Sequence, residues 1–487
     1  MRIVSNITNN FIYHFVLYAL LAVFFAPNLS RAKVNTPIDI VAALGKIKGL
    51  TFKEVVPAPV AGFRVFDMEF EQPEDHNDPV NSPKFQQRLV LWHKDETRPM
   101  VLETSGYAIF SLGLSVLATE FNGNQIQVEH RFFANSVPTD KNWDFDNIEE
   151  SAGDFHNITE AFKSIYKAKW VNTGRSKGGM TSVYFRRFYP NDVDATVAHV
   201  APHSFSTEDE RYAVNMDNNI GGPGNAACRE KLVQDQRVLL QNKQAILDRM
   251  TTGNYTQLGS KDEALEHAVI ELPWTYWQYS GPGLDCSNVP APDAPATDHL
   301  NFLFTNNDPT GYDDEQLAGF IPYYFQSATQ LGNPGSDLNP IMDLLHFAST
   351  YKISSYVPQG VTATYDNAKA MHDVSDWLNT KSERILFIYG SWDPWAAGAY
   401  TEIRAAGDNH KFYVDKANHS AQIIDLQGPD RDLAYGKMRT WLNIANDPTR
   451  PSPLAAGARA AMKDIQTLRV KSLEYQEFEK TGKRKIL

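Results

Sequence analysis

The chain has 487 residues, 42% of them hydrophobic, with 46 basic against 58 acidic side chains and 2 cysteines. It is too long and too apolar for a disordered chain, and its length allows two or three domains. A net charge of −12 excludes a general nucleic-acid footprint, and two cysteines cannot staple a whole fold.

In chain order, the first feature is the apolar run FIYHFVLYALLAVFF at 11–25, preceded by Arg2 and followed by Ser30-Arg31-Ala32. The run is short for a membrane span, and the small residues fit the −3 and −1 positions of a cleavage site. Residues 1–32 therefore read as a secretory signal peptide, the alternative being an uncleaved anchor. Removing them takes away Arg2 and Arg31 and no acidic residue, so −12 becomes −14. A secreted or periplasmic protein is expected, with no stable membrane association after cleavage and no nucleic-acid partner. In an oxidising compartment Cys228 and Cys286 form a candidate disulfide; the alternative is two buried free thiols.

Short segments rich in Val, Leu, Ile and Phe predict strands at 63–70, 87–93, 99–104 and 125–131. Phe155, Ile158, Phe162 and Ile165 recur at three- and four-residue steps and predict a helix over 154–168. A strand at 169–173, a helix at 178–188 and a strand at 194–201 follow, the alternation of a parallel α/β sheet. From 204 to 374 the pattern turns helical, with helices expected at 229–250, 262–272, 314–330 and 340–350. Alternation resumes with a helix at 366–379 and strands at 384–390 and 411–416. The chain thus divides into a signal (1–32), a first core part (33–203), a helical cap (204–374), a second core part (375–455) and a basic tail (456–487).

Gly174-Arg175-Ser176-Lys177-Gly178 fits G-x-S-x-G between a strand and a helix, the setting of a nucleophile elbow. Small neighbours allow the strained serine backbone, and the helix N-terminus stabilises developing negative charge. A serine hydroxyl needs a base to take its proton and a carboxylate to orient that base. Asp393 and His419 each follow a late strand, in the chain order serine, acid, histidine of α/β-hydrolases. The oxyanion hole then comprises the N–H of Lys177 and one from Gly106 or Tyr107. His199 and His203 are four apart but flank a strand and Pro202, so a metal-binding helix is not indicated. No metal or organic cofactor is called for.

With these residues placed, the chain resembles the secreted prolyl tri- and tetrapeptidyl aminopeptidases of Streptomyces type (peptidase family S37, PS-10). More distantly it resembles the Pro-Xaa carboxypeptidase and dipeptidyl peptidase II family, S28. The shared segments are Gln72-Pro73-Glu74-Asp75-His76, Val128-Glu129-His130-Arg131-Phe132-Phe133, the elbow extended to Gly179, and Tyr389-Gly390-Ser391-Trp392-Asp393-Pro394-Trp395. Trp277-Gln278-Tyr279 and Tyr323-Tyr324-Phe325-Gln326 add to them. The resemblance implies an α/β-hydrolase core with a helical cap, cutting peptides after proline near their free N-terminus. From S28 it also implies that Met180 and Trp395 face the proline ring. Binding of a free ammonium then favours buried or partly buried carboxylates, for which Glu129 and Glu103, near the ends of central strands, are the candidates, the alternative for Glu129 being a structural pairing with Arg131 or His130. The expected substrates are short peptides or flexible N-termini. The rivals are a secreted esterase or lipase and a catalytically silent binding protein of the same fold.

Overall fold

Residues 38–279, 286–401 and 403–444 are described by the structure, a computed structural model. The expected signal peptide and basic tail lie outside the described residues. The strands are β1 (Leu50–Val55), β2 (Arg64–Pro73), β3 (Lys84–His93), β4 (Met100–Thr104), β5 (Asn124–Val128), β6 (Trp170–Arg175), β7 (Ala195–His199), β8 (Ile385–Gly390) and β9 (His410–Val414). They form one sheet in the order β1-β2-β3-β5-β4-β6-β7-β8-β9. The first three pairings, β1 with β2, β2 with β3 and β3 with β5, are antiparallel, and those from β5 to β9 are parallel. The longer helices are α1 (Ile148–Phe162), α2 (Lys177–Phe188), α3 (Glu210–Asn218), α4 (Ala226–Gln241), α5 (Lys261–Tyr279), α6 (Ala296–Asn306), α7 (Met371–Thr380) and α8 (Gly428–Trp441).

The central strands β5 to β8 are buried almost along their length, as parallel strands covered on both faces must be. On one face, Phe155, Ile158 and Phe162 of α1 share a core with Val183 and Phe185 of α2 and with Val374 and Leu378 of α7. On the other, Ala434, Tyr435 and Met438 of α8 pack against Val171, Val197 and Ile388. The result is the three-layer α/β-hydrolase fold.

Between β7 and β8 the chain is helical, with its own hydrophobic core built from Leu232 and Leu239 of α4, Leu265 and Val269 of α5, and Phe302 and Leu303 of α6. Cys228 of α4 is disulfide-bonded to Cys286, tying the start of this core to the segment after α5. Pro273 lies inside α5 and cannot donate a backbone hydrogen bond. The side chain of Gln236 makes good the deficit, donating through Nε2 to the carbonyls of Val269 (2.9 Å) and Ile270 (3.2 Å).

Several element boundaries differ from the sequence reading for local reasons. Helix α1 begins six residues earlier than expected because Asn147 caps it, accepting from the N–H of Glu150. The helix expected over 229–250 is broken at Asn242, and that over 340–350 is a short 3₁₀ turn, Asn339–Leu344. Helix α5 runs through Pro273 to Tyr279, well past the expected end at 272. No helix among the described residues is long and apolar enough to cross a membrane.

Candidate active site

Ser176 sits between β6 and α2 with φ 54° and ψ −124°, a conformation strained for any residue with a side chain. Close backbone packing around it enforces this conformation. A Cβ on Gly179 would lie 2.8 Å from both the His199 carbonyl oxygen and the Ala201 Cβ, and one on Gly178 would lie 2.7 Å from the Ser105 oxygen. Side chains on Gly174 and Gly106 would collide with the backbone at Gly178. The Ser176 N–H donates to the His199 carbonyl (3.0 Å), pinning the elbow to the end of β7.

At the ends of β8 and β9 the expected acid and base meet. Asp393 accepts through Oδ2 from His419 Nδ1 at 2.7 Å and through Oδ1 from the Trp395 N–H at 3.0 Å. An ionised carboxylate can only accept, so this contact places the donor at Nδ1 and turns Nε2 toward the other side of the ring. That Nε2 is buried and has no hydrogen-bond partner among the described residues. The His419 loop packs tightly on Gly390, where a side chain would strike the carbonyls of Ala417 and Asn418. It is further held by the His419 N–H donating to the Gln278 carbonyl (3.3 Å) and by Arg175 Nη2 donating to the His419 carbonyl (3.4 Å).

Ser176 and His419 line one cavity of ≈ 2090 Å³, together with Tyr107, Lys177, Met180 and Trp395. This exceeds the roughly 300–1,000 Å³ that accommodates drug-sized ligands, leaving room for several residues of peptide. Asp393 lies behind His419, 1% exposed. Trp395 meets Trp274 edge-on (5.1 Å between ring centroids, 85°) and also contacts Tyr212 (6.0 Å). Trp274, Trp395 and the Met180 thioether make an apolar stretch of wall in the cavity that Ser176 lines, and the Tyr107 hydroxyl faces the Ser176 side chain.

The Lys177 side chain has a part that sequence reasoning missed. It is buried, donates to the Gly106 carbonyl (2.7 Å) and lies over the rings of Phe133 (5.2 Å) and Tyr107 (5.6 Å). Burial pushes its ammonium down to about 7, against the attraction of Asp146. The Gly106 carbonyl and the Tyr107 N–H belong to one planar peptide unit and point opposite ways. Fixing the first therefore fixes the direction of the second.

The two carboxylates expected to bind an ammonium are not among the residues lining the cavity. Glu129 is fully buried and accepts from the Ile109 N–H (3.1 Å), the Asn135 N–H (3.3 Å) and the Ser136 hydroxyl (2.8 Å). It thus braces the loop beyond Tyr107. Glu103 has one buried oxygen without a hydrogen-bond partner, and burial lifts its carboxyl to about 7 against the pull of Arg175.

The other motif residues meet in a buried polar cluster beneath β2, β3 and β5. Arg131 makes a two-pronged contact with Asp154 (2.7 and 2.8 Å) and donates to the carbonyls of Glu74 and Phe145 (2.9 Å each). His76 reaches the same Asp154 (2.8 Å). Such a paired, fully bonded charge cluster rigidifies the chain around it. The His130 N–H, next in the chain, donates to the Tyr107 carbonyl (3.0 Å).

A model of the PS-10 peptidase S37 family matches residues 34–474. The chain is 34% identical over 451 residues to the prolyl tri/tetrapeptidyl aminopeptidase of Streptomyces mobaraensis, covering 91% of this chain and 93% of that protein. Among solved structures it is similar to VinJ (15% identity, 81% of this chain and 98% of the other, TM-score 0.36). It is likewise similar to the proline iminopeptidase of Mycobacterium smegmatis (13% identity, 82% and 100%, TM-score 0.36).

Proposed function

This chain belongs to the S37 family of serine-type peptidases, and from that premise we propose that it is an exported exopeptidase releasing short peptides that end in proline from free N-termini. Ser176 attacks the carbonyl of the prolyl residue. His419 Nε2 takes the serine proton and returns it to the leaving amine, while Asp393 holds the ring and stabilises its charge. Water then frees the acyl-enzyme by the same base. The N–H groups of Lys177 and Tyr107 receive the oxyanion, and the Lys177–Gly106 bond supports Tyr107 over Gly106 as the second donor. Met180 and Trp395 enclose the proline ring, a shape suited to a flat indole and a polarizable thioether.

The helical segment between β7 and β8 caps this site and limits entry to short or flexible chains. The bond between Cys228 and Cys286 fits an oxidising compartment, in keeping with the signal-like run at 11–25. The observation that carries the proposal is the strained Ser176 sharing a cavity with a histidine whose Nε2 has no partner among the described residues and whose Nδ1 is bound to a buried aspartate.

The test offers purified protein a free-amine Ala-Ala-Pro amide, its amine-blocked analogue and a simple ester, with fluorophosphonate labelling of Ser176 in parallel. Preferential hydrolysis of the free-amine peptide is expected. Cleavage of the ester alone would make the protein an esterase, and absence of labelling would make it a silent relative.

A further inference from the structure

The cavity is lined by an acidic side chain that has no cationic partner among the described residues. Glu271, on α5, lines it, and its carboxylate is met by phenols: Tyr312 donates at 2.5 Å, Tyr356 at 3.4 Å, and Tyr351 bonds to it as well. Among the described residues no lysine, arginine or histidine forms an ion pair with it, and no cationic group influences it. Burial pushes the carboxyl up from its ordinary range while the phenols hold it down. A carboxyl group poorly reached by water either keeps its proton or gains an opposite charge beside it, and an arriving cation favours the second. Here phenols supply hydrogen bonds but no charge, and the open side is the cavity.

The position of Glu271 along α5 gives this feature a length scale. Glu271, Trp274 and Gln278 recur at steps of three and four and so share one helix face, and all three line the cavity. Gln278 marks the catalytic end, since its carbonyl accepts from the His419 N–H. Trp274 lies next, edge-on to Trp395 of the apolar wall. Glu271 is seven residues from Gln278, about 10 Å at a rise of ~1.5 Å per residue. An extended peptide advances ~3.3–3.6 Å per residue, so that interval corresponds to about three residues.

We infer that Glu271 receives the N-terminal ammonium of the substrate, setting the released peptide at about three residues counted back from the scissile bond. The inference rests on the reading of Ser176 as the nucleophile. The ammonium completes the ion pair that Glu271 lacks, with Tyr312, Tyr351 and Tyr356 keeping the carboxylate in place. A blocked or shorter N-terminus leaves Glu271 without that partner, and binding is weakened.

The test compares wild type with Glu271→Gln and Glu271→Asp on di-, tri- and tetrapeptidyl p-nitroanilides ending in proline, each with a free and an acetylated amine. For Glu271→Gln, KM for the free-amine tripeptide should rise about 10- to 100-fold with kcat little changed. Acetylated substrates should be unaffected, so that preference for the free amine and for three residues disappears. Glu271→Asp, which keeps the charge, should retain part of both preferences. Fluorophosphonate labelling of Ser176 at the wild-type rate establishes that each variant is folded at the site. Retention of wild-type free-amine preference by a labelled Glu271→Gln overturns the role of Glu271 while leaving the proposed function intact. If wild type itself cleaves none of these peptides, the peptidase reading falls and this inference falls with it.

Discussion

The elbow at Ser176 and helix α5 border the same cavity but hold their functional groups by different means. At the elbow, backbone packs on backbone: Gly178 and Gly179 have no space for a Cβ, and the conformation of Ser176 follows from what surrounds it. Along α5, side chains do the placing, through Trp274 against Trp395 and Glu271 among tyrosines, on a helix that tolerates Pro273 because Gln236 serves the Val269 carbonyl it leaves without a donor. The first kind of site resists change without exception. The second can be re-cut one side chain at a time, so chemistry and selectivity should separate under mutation.

The largest effect belongs to the elbow side. Ser176→Ala should lower kcat by about 10⁴–10⁶ with the melting temperature unchanged, and Asp393→Asn by about 10⁴ through loss of the correct imidazole tautomer. A single-turnover assay with the tripeptidyl substrate measures both, and appreciable residual activity in Ser176→Ala would remove it as nucleophile. Next is a stability effect on the helical side. Cys228 and Cys286 are 58 residues apart, and a loop of that length is worth about 4 kcal/mol in the chain-entropy view. Replacing both by serine should lower the calorimetric transition of the helical segment, and an unchanged thermogram would show the bond to be inconsequential.

A matched pair tests the contrast directly. Gly179→Ala forces a methyl group into backbone, and should lower stability by about 1–3 kcal/mol and slow Ser176 labelling. Trp395→Ala should instead lower kcat/KM for prolyl substrates about 10- to 100-fold while labelling proceeds. If both variants lose labelling alike, the proposed separation is wrong. The smallest effect is pH-linked. Glu103 lies at about 7 in the folded chain against an ordinary 4.5, so the folded state holds its proton more tightly. Its favourable contribution is full below the ordinary value and is lost as pH rises toward 7. Relative to wild type, Glu103→Gln should therefore gain melting temperature between pH 5 and pH 8; a constant difference across that range would refute it.

Much of this was legible from the sequence where local rules govern. G-x-S-x-G after an apolar strand, and an aspartate and a histidine each beyond a later strand, are spaced by the fold itself, and the structure brings Asp393 and His419 to 2.7 Å. The bracing role of Glu129 was not legible, because its partners Ile109, Asn135 and Ser136 come from two loops with no pattern of their own. Nor was Glu271, which occupies an apolar helical stretch and acquires its meaning from tyrosines 41 to 85 residues away. Strand β1 was missed because its apolar residues are too sparse to mark an edge strand. The sequence signal is the proline two residues after Glu271: a helix carried through it requires tertiary help, and such help concentrates where position matters.

One bond spans the two regions. The His419 N–H rests on the carbonyl of Gln278, in the last turn of α5. Through it the last turn of α5 and the loop that carries His419 are tied to each other, backbone to backbone. On the proposed reading of His419 as the base, the helix that borders the cavity is therefore also a strut for the group that does the cutting.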